Sequence, residues 1–307
     1  MHTLVVPLDG SRLAARVLPH VTALAAAFGS RLHLVSVIDV ARLDLAFYYQ
    51  HYALPLTEAM QLWLARALDR ERRVLERGGC AVTTEVALGR PAETVLRVAH
   101  DRDAHLIALS THGRGGLGRW ALGSVAHDLV RSSTVPLLLH RPQDRVRQIA
   151  YRRLLLPLDG SSRSEAALPL AQRLAQGLGA RLLLAQVVPT ALNYALGPHW
   201  TVIPLQLEEQ AVAAAQVYLH EVCERLAGAG VAAEAVVLRG DPARQLLDLA
   251  EQQPIDLTVM ATHGHGGVRH LALGSVADRV VQASARPVVL VPPSPAATGT
   301  AEPGSRR

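Results

Sequence analysis

Apolar positions in this chain follow two alternating registers. Residues 4–8, 32–37, 82–88, 106–110 and 135–139 are short runs rich in β-branched residues or Leu, too short for helices, so they read as strands. Between them the apolar spacing becomes three and four. Leu13, Val17, Val21, Leu24 and Phe28 recur at helical intervals, with Ser11 able to cap the start and Gly29 able to end the helix. Further helices are expected over about residues 57–77, 91–101 and 124–132. Strands with no polar face, joined by helices, predict a parallel α/β sheet with right-handed crossovers.

The whole pattern then repeats. Pro7-Leu8-Asp9-Gly10-Ser11 returns as Pro157-Leu158-Asp159-Gly160-Ser161, and Thr111-His112-Gly113-Arg114-Gly115-Gly116 returns as Thr262-His263-Gly264-His265-Gly266-Gly267. Gly123-Ser124-Val125 likewise returns as Gly274-Ser275-Val276. The offset is 150 residues from Asp9 to Asp159 and 151 from Gly123 to Gly274, so the halves are collinear. Two tandem Rossmann-like domains follow, each a five-stranded parallel sheet flanked by helices, at 1–146 and 147–295. The remaining 296–307 is a Pro/Ala/Gly/Ser-rich tail expected to be disordered.

Half the residues are hydrophobic and 19% are charged, yet charged residues or Pro interrupt every apolar run before the ~20 residues of a membrane span. Met1-His2-Thr3 leads directly into the first predicted strand, so no signal peptide and a cytoplasmic location are expected. The net charge of +5 comes from arginine, because the chain contains no lysine. Those arginines are scattered without an interleaved aromatic stripe, which argues against nucleic acid as partner. Absence of lysine also excludes a Walker A loop, leaving backbone amides to hold any phosphate. With only Cys80 and Cys223, at non-equivalent places in the two halves, no disulfide framework is expected. His263, His265 and His270 lie close in sequence, but the first copy lacks the matching set and no metal site is expected.

Candidate chemistry gathers where strands end. Asp9 follows the first predicted strand, Val37 ends the second, Gly89 the third, and Ser110 opens the glycine loop after the fourth. In an open parallel sheet, ligands bind beyond the carboxyl ends of the strands. A glycine loop running from a strand into a helix start is the layout of an anion cradle. The same loop also reads as a plain glycine turn followed by a Ser N-cap.

Each half resembles the universal stress protein family. The resemblance is carried by Pro-x-Asp-Gly-Ser, by the Gly-x-Pro at Gly89-Arg90-Pro91, by the closing Pro-Val-Val-Leu-Val type strand, and by the loop. That loop is similar to the family's nucleotide motif of Gly, two residues, Gly, nine residues and Gly-Ser or Gly-Thr. Ser110 and Ala261 stand where the first glycine belongs, and a Cβ there would narrow the cradle. The resemblance implies ATP, with Mg²⁺ as an option, in one or both domains.

By that resemblance, the amides of Gly113, Arg114, Gly115 and Gly116 face the β and γ phosphates, and Ser124 and Val125 present the positive helix end. Gly264, His265, Gly266, Gly267, Gly274, Ser275 and Val276 do the same in the second copy. Asp9 and Asp159, after Pro7 and Pro157, would hold ribose or phosphate-bound Mg²⁺. Val37 and Val187 would touch adenine through their backbone. A regulatory, stress-response nucleotide binder is implied, with slow ATP hydrolysis at most. A nucleotide-free interaction or scaffold module and a slow ATPase are the alternatives. Family domains pair through their last strands, so residues 135–139 and 288–291 are expected to meet within one chain as a built-in pseudo-dimer. Further pairing into a homodimer is left open.

Overall fold

The computed structural model describes residues 1–39, 53–111, 122–141, 149–190, 205–263 and 273–293. The aromatic stretch at 47–52, most of both glycine loops and the tail lie outside these residues.

The first half runs β1 (Thr3–Pro7), a 3-10 turn (Ala14–Val17), α1 (Leu18–Phe28), β2 (Arg31–Asp39), α2 (Ala53–Arg77) and β3 (Val82–Gly89). It continues with α3 (Pro91–Asp101), β4 (Leu106–Ser110), α4 (Ser124–Ser132) and β5 (Leu137–His140). The second runs β6 (Arg153–Pro157), α5 (Ser162–Glu165), α6 (Leu168–Leu178), β7 (Arg181–Val188), α7 (Leu205–Gly228) and β8 (Ala233–Arg239). It closes with α8 (Pro242–Gln252), β9 (Leu257–Ala261), α9 (Ser275–Ala283) and β10 (Val288–Val291). The single helix expected from Ser11 to Gly29 is split. Its first turn is 3-10, with Ser11 Oγ accepting from Ala14 N at 3.1 Å, and α1 begins only at Leu18, ahead of Pro19.

All ten strands form one sheet, ordered β3-β2-β1-β4-β5-β10-β9-β6-β7-β8. Every neighbour is parallel except β5 and β10, which pair antiparallel with Leu139 opposite Val288, Leu138 opposite Val289 and Leu137 opposite Leu290. The last strands therefore meet within the chain, and each covers the other's open edge. Because β5 and β10 run oppositely, the strands of the two halves end on opposite margins of the sheet.

Alternation along the strands sends side chains into two cores. Leu4, Val6, Leu34, Leu156 and Leu184 pack beneath α1, α2, α6 and α7, whereas Val5, Val35, Ile107, Leu155 and Leu183 pack beneath α3, α4, α8 and α9. Both cores run through both halves. Complete burial of an aliphatic side chain contributes about 1.5–3 kcal/mol, so this two-sided burial outweighs any single polar contact in the fold.

Candidate functional site

In the first half, β1 leads onward to β2 on one side and β4 to β5 on the other, so neighbouring connections diverge between β1 and β4. In open parallel sheets such a divergence is where a crevice forms beyond the strand ends. The second half repeats it between β6 and β9.

The first crevice is built by a chain of hydrogen bonds. Asp9 Oδ1 accepts from Ser11 N at 2.8 Å, and Ser11 Oγ accepts from Ala14 N. Ser110 Oγ donates to the Ala14 carbonyl at 3.2 Å, tying the end of β4 to the 3-10 turn. Thr111 N donates to the His140 carbonyl at 2.9 Å, and the Thr111 carbonyl accepts from Gly123 N, also at 2.9 Å. One framework thus joins Asp9 to the start of α4. In the second half Asp159 Oδ1 accepts from Ser161 N at 3.0 Å and from Ser161 Oγ at 2.6 Å. Thr262 N donates to the Val291 carbonyl at 3.0 Å, and its own carbonyl accepts from Gly274 N at 2.8 Å.

The helix start differs from a Ser N-cap. Gly123 and Gly274 are themselves the N-caps, Ser124 and Ser275 are the first helical residues, and the N-cap position supplies no side chain to cap either helix. The unpaired first-turn amides of α4 and α9 therefore keep their positive ends for an outside acceptor. A Cβ on Gly123 would lie 3.0 Å from the Thr111 carbonyl oxygen, and one on Gly274 3.2 Å from that of Thr262. Glycine lets strand end and helix start approach this closely.

Ser110 and Ala261 end β4 and β9, each just before its glycine loop. Strand alternation puts their side chains on the α1 and α6 face, opposite α4 and α9; Ser110 reaches Ala14, and Ala261 packs against the first core. Val37 and Val187 are partly buried against the second core, on the face that carries α4 and α9. Pro7 and Pro157 end β1 and β6, each followed by its Asp turn. Gly113, Arg114, Gly115 and Gly116, with Gly264, His265, Gly266 and Gly267, lie outside the described residues.

The halves match one family model twice, at residues 1–141 and 150–292, described as the universal stress protein family. The chain belongs to the universal stress protein family. A universal stress protein of Mycolicibacterium smegmatis is 29% identical over 253 residues, 79% of this chain and 81% of that one. One of Thermus aquaticus is 34% identical over 143 residues, 46% of this chain and 98% of that one. The crystal structure of a universal stress protein from Archaeoglobus fulgidus superposes with a TM-score of 0.71, 19% identity and coverage of 96% of this chain and 97% of that one. Among the described residues of this universal stress protein, no helix is long and apolar enough to cross a membrane. Among the same residues no three His, Cys, Asp or Glu side chains gather to hold a metal, and Cys80 and Cys223 are free thiols.

Sequence reasoning passed over two groups beside the crevices. Thr111 and Thr262 are buried and supply the carbonyls on which the helix starts hang; their repetition just before His-Gly in both copies is the signal that marks them. His20, His140 and Tyr151 form a buried trio next to the first crevice only. The Tyr151 hydroxyl lies 2.7 Å from His20 Nδ1, the two imidazole centroids are 4.3 Å apart, and His140 Nδ1 is buried without a hydrogen-bond partner. Burial, reinforced by the neighbouring His140, lowers His20 from an ordinary 6.5 to about 3. Burial and the nearby Arg16 lower His140 to about 4. Burial, with Asp256 adding to it, holds the Tyr151 phenol far above its usual value.

Proposed function

We propose that this universal stress protein is a cytoplasmic, nucleotide-responsive regulator that binds ATP at the mouths of both halves. The observation that carries this reading is the pair of glycine-capped helices whose first-turn amides have no side-chain cap and hang from a threonine carbonyl at the strand end. Such helix starts attract phosphate without any ammonium group, which suits a chain that has no lysine. The motif resemblance supplies the adenine nucleotide as the phosphate's carrier.

In each mouth the roles divide by position. Gly113–Gly116 and Gly264–Gly267 would wrap the distal phosphates, with Ser124, Val125, Ser275 and Val276 adding the helix ends. Asp9 and Asp159 each spend one carboxylate oxygen on a turn, which fixes the carboxylate's orientation beside the crevice. They would take ribose or a phosphate-bound Mg²⁺. Val37 and Val187 would border the base. With no nucleophile and base paired in the described part of either mouth, ATP is expected to act by being held.

Calorimetry with ATP tests this directly. Two sites per chain are expected, with Gly123→Val removing one and Gly274→Val the other. Unchanged affinity in both variants would overturn the cradle. No heat and no thermal shift with ATP in the native protein would leave a nucleotide-free interaction module.

A further inference from the structure

We propose that His20, His140 and Tyr151 form a proton-operated latch on the first mouth, shut while both imidazoles are neutral and released when either takes up a proton. The effect on bound nucleotide rests on the function proposed above; the latch itself does not.

The internal repeat supplies the comparison. At the places of His20, His140 and Tyr151, the second arrangement of the same framework has Leu170, Val291 and Met1, all packed in or against the first core. Hydrocarbon therefore suffices to fill this spot. Three buried polar rings in its place cost desolvation that packing does not require.

Their position ties them to the mouth. The carbonyl of His140 receives the Thr111 amide, and the hydroxyl of the preceding Ser110 donates to Ala14, two residues before Arg16 in the same 3-10 turn. The strand end entering the glycine loop is thus bracketed by His140 on one side and by the turn bearing Arg16 on the other.

A proton on either ring meets no compensating charge among the described residues. Among the described residues, the groups facing the pair are Arg16 from the 3-10 turn, Tyr151 ahead of β6, and each histidine for the other, and no carboxylate raises either imidazole. Asp256 acts on Tyr151 from behind, and its Oδ2 already accepts from Arg152 N at 2.7 Å and Arg153 N at 3.0 Å. With Nδ1 of His20 unprotonated, Tyr151 donates to it; an imidazolium donates from both nitrogens, so the contact must reverse, the phenol oxygen accepting while its hydrogen turns away from the partner it had. Charge on His140 would likewise repel Arg16 and spread the two walls that hold Ser110 and Thr111. Any opened form that frees a histidine to its ordinary value gains about tenfold in population per pH unit below that value.

Amide hydrogen exchange of the full chain tests the latch, because protection factors divide out the intrinsic effect of pH. Between pH 7 and pH 5 the Thr111 amide is expected to lose tenfold or more in protection, while Thr262, bonded to Val291 in the same way, holds steady. The triple variant His20→Leu/His140→Val/Tyr151→Met, which imports the second half's own residues, should flatten the response, and His140→Val alone should reduce it. Parallel loss at Thr111 and Thr262, or an unaltered response in both variants, would overturn the latch. Calorimetry then reads the consequence: ATP affinity of the first mouth, isolated by Gly274→Val, should fall tenfold more over this range than that of the second, isolated by Gly123→Val. If neither mouth takes ATP at pH 7, the nucleotide reading fails, and the exchange result alone decides the latch.

Discussion

The ring of Phe28, at the end of α1, fills the space that a side chain on Gly177 of α6 would need. A methyl at position 177 would overlap Cε1 and Cζ of that ring, so the helices of the two halves meet ring against bare backbone. Gly177→Ala gains up to ~1 kcal/mol of helix propensity, yet overpacking costs about 1–3 kcal/mol. A net loss of about 1 kcal/mol is expected in urea unfolding. In a double-mutant cycle, Phe28→Leu should recover most of it, and additive losses would show that the ring is free to move aside.

Acid should weaken the fold through the same histidines that guard the first mouth. Their folded values of about 3 and about 4 lie below the ordinary 6.5, so between these limits the unfolded chain binds more protons than the folded one. Stability is therefore complete above about pH 6.5 and declines as pH falls toward 4. The slope is about 1.4 kcal/mol per pH unit for each histidine that titrates. The difference in melting temperature between the native chain and the Leu/Val/Met triple variant should be constant near neutrality and widen in the variant's favour as pH falls below about 6.5. Parallel curves would assign the acid sensitivity to other groups.

The bends that end β3 and β8 should respond unequally to one methyl group. Gly89 has φ of +147° and a Cβ there would stand 2.5 Å from Thr94 Oγ1, whereas Gly240 has φ of +126° and its nearest neighbour, Gln245 Nε2, would be 3.3 Å away. Both backbones are strained for an L residue, at about 1–3 kcal/mol, but only Gly89 adds a hard clash inside the following helix. Gly89→Ala should destabilise by the larger amount in denaturant titration, and Thr94→Ser should leave that order unchanged.

At the helix starts, backbone dihedrals of −59° and 152° at Gly123 and −67° and 148° at Gly274 suit any residue, so substitutions there test space rather than strain. Gly123→Ala and Gly274→Ala should keep the fold and weaken ATP binding by a few fold each, against tenfold or more for valine. Loss of folding in circular dichroism, rather than of calorimetric affinity, would make these glycines packing residues.

Much of the fold was legible because strands buried on both faces and amphipathic helices write different periods. The third helix, expected over 91–101, and the fourth, over 124–132, occupy those residues, and β4 spans the 106–110 expected of it. The duplicated Gly-Ser pairs pointed to the helix starts, although the cap fell on glycine because the carbonyl of Thr111 or Thr262 claims the space beside it. Ser110 and Ala261 stand at strand ends where alternation turns their side chains to the α1 and α6 face, a placement that the loop motif by itself does not convey. The trio of His20, His140 and Tyr151 left no local mark. Its members lie up to 131 residues apart, and they share one place only because β5 pairs with β10 and joins the two halves in one sheet.

The one antiparallel junction, between Leu138 and Val289, sets a vectorial property for the whole molecule. A flat surface laid against one margin of the sheet meets the strand ends of a single half, and those of the other half point to the far margin.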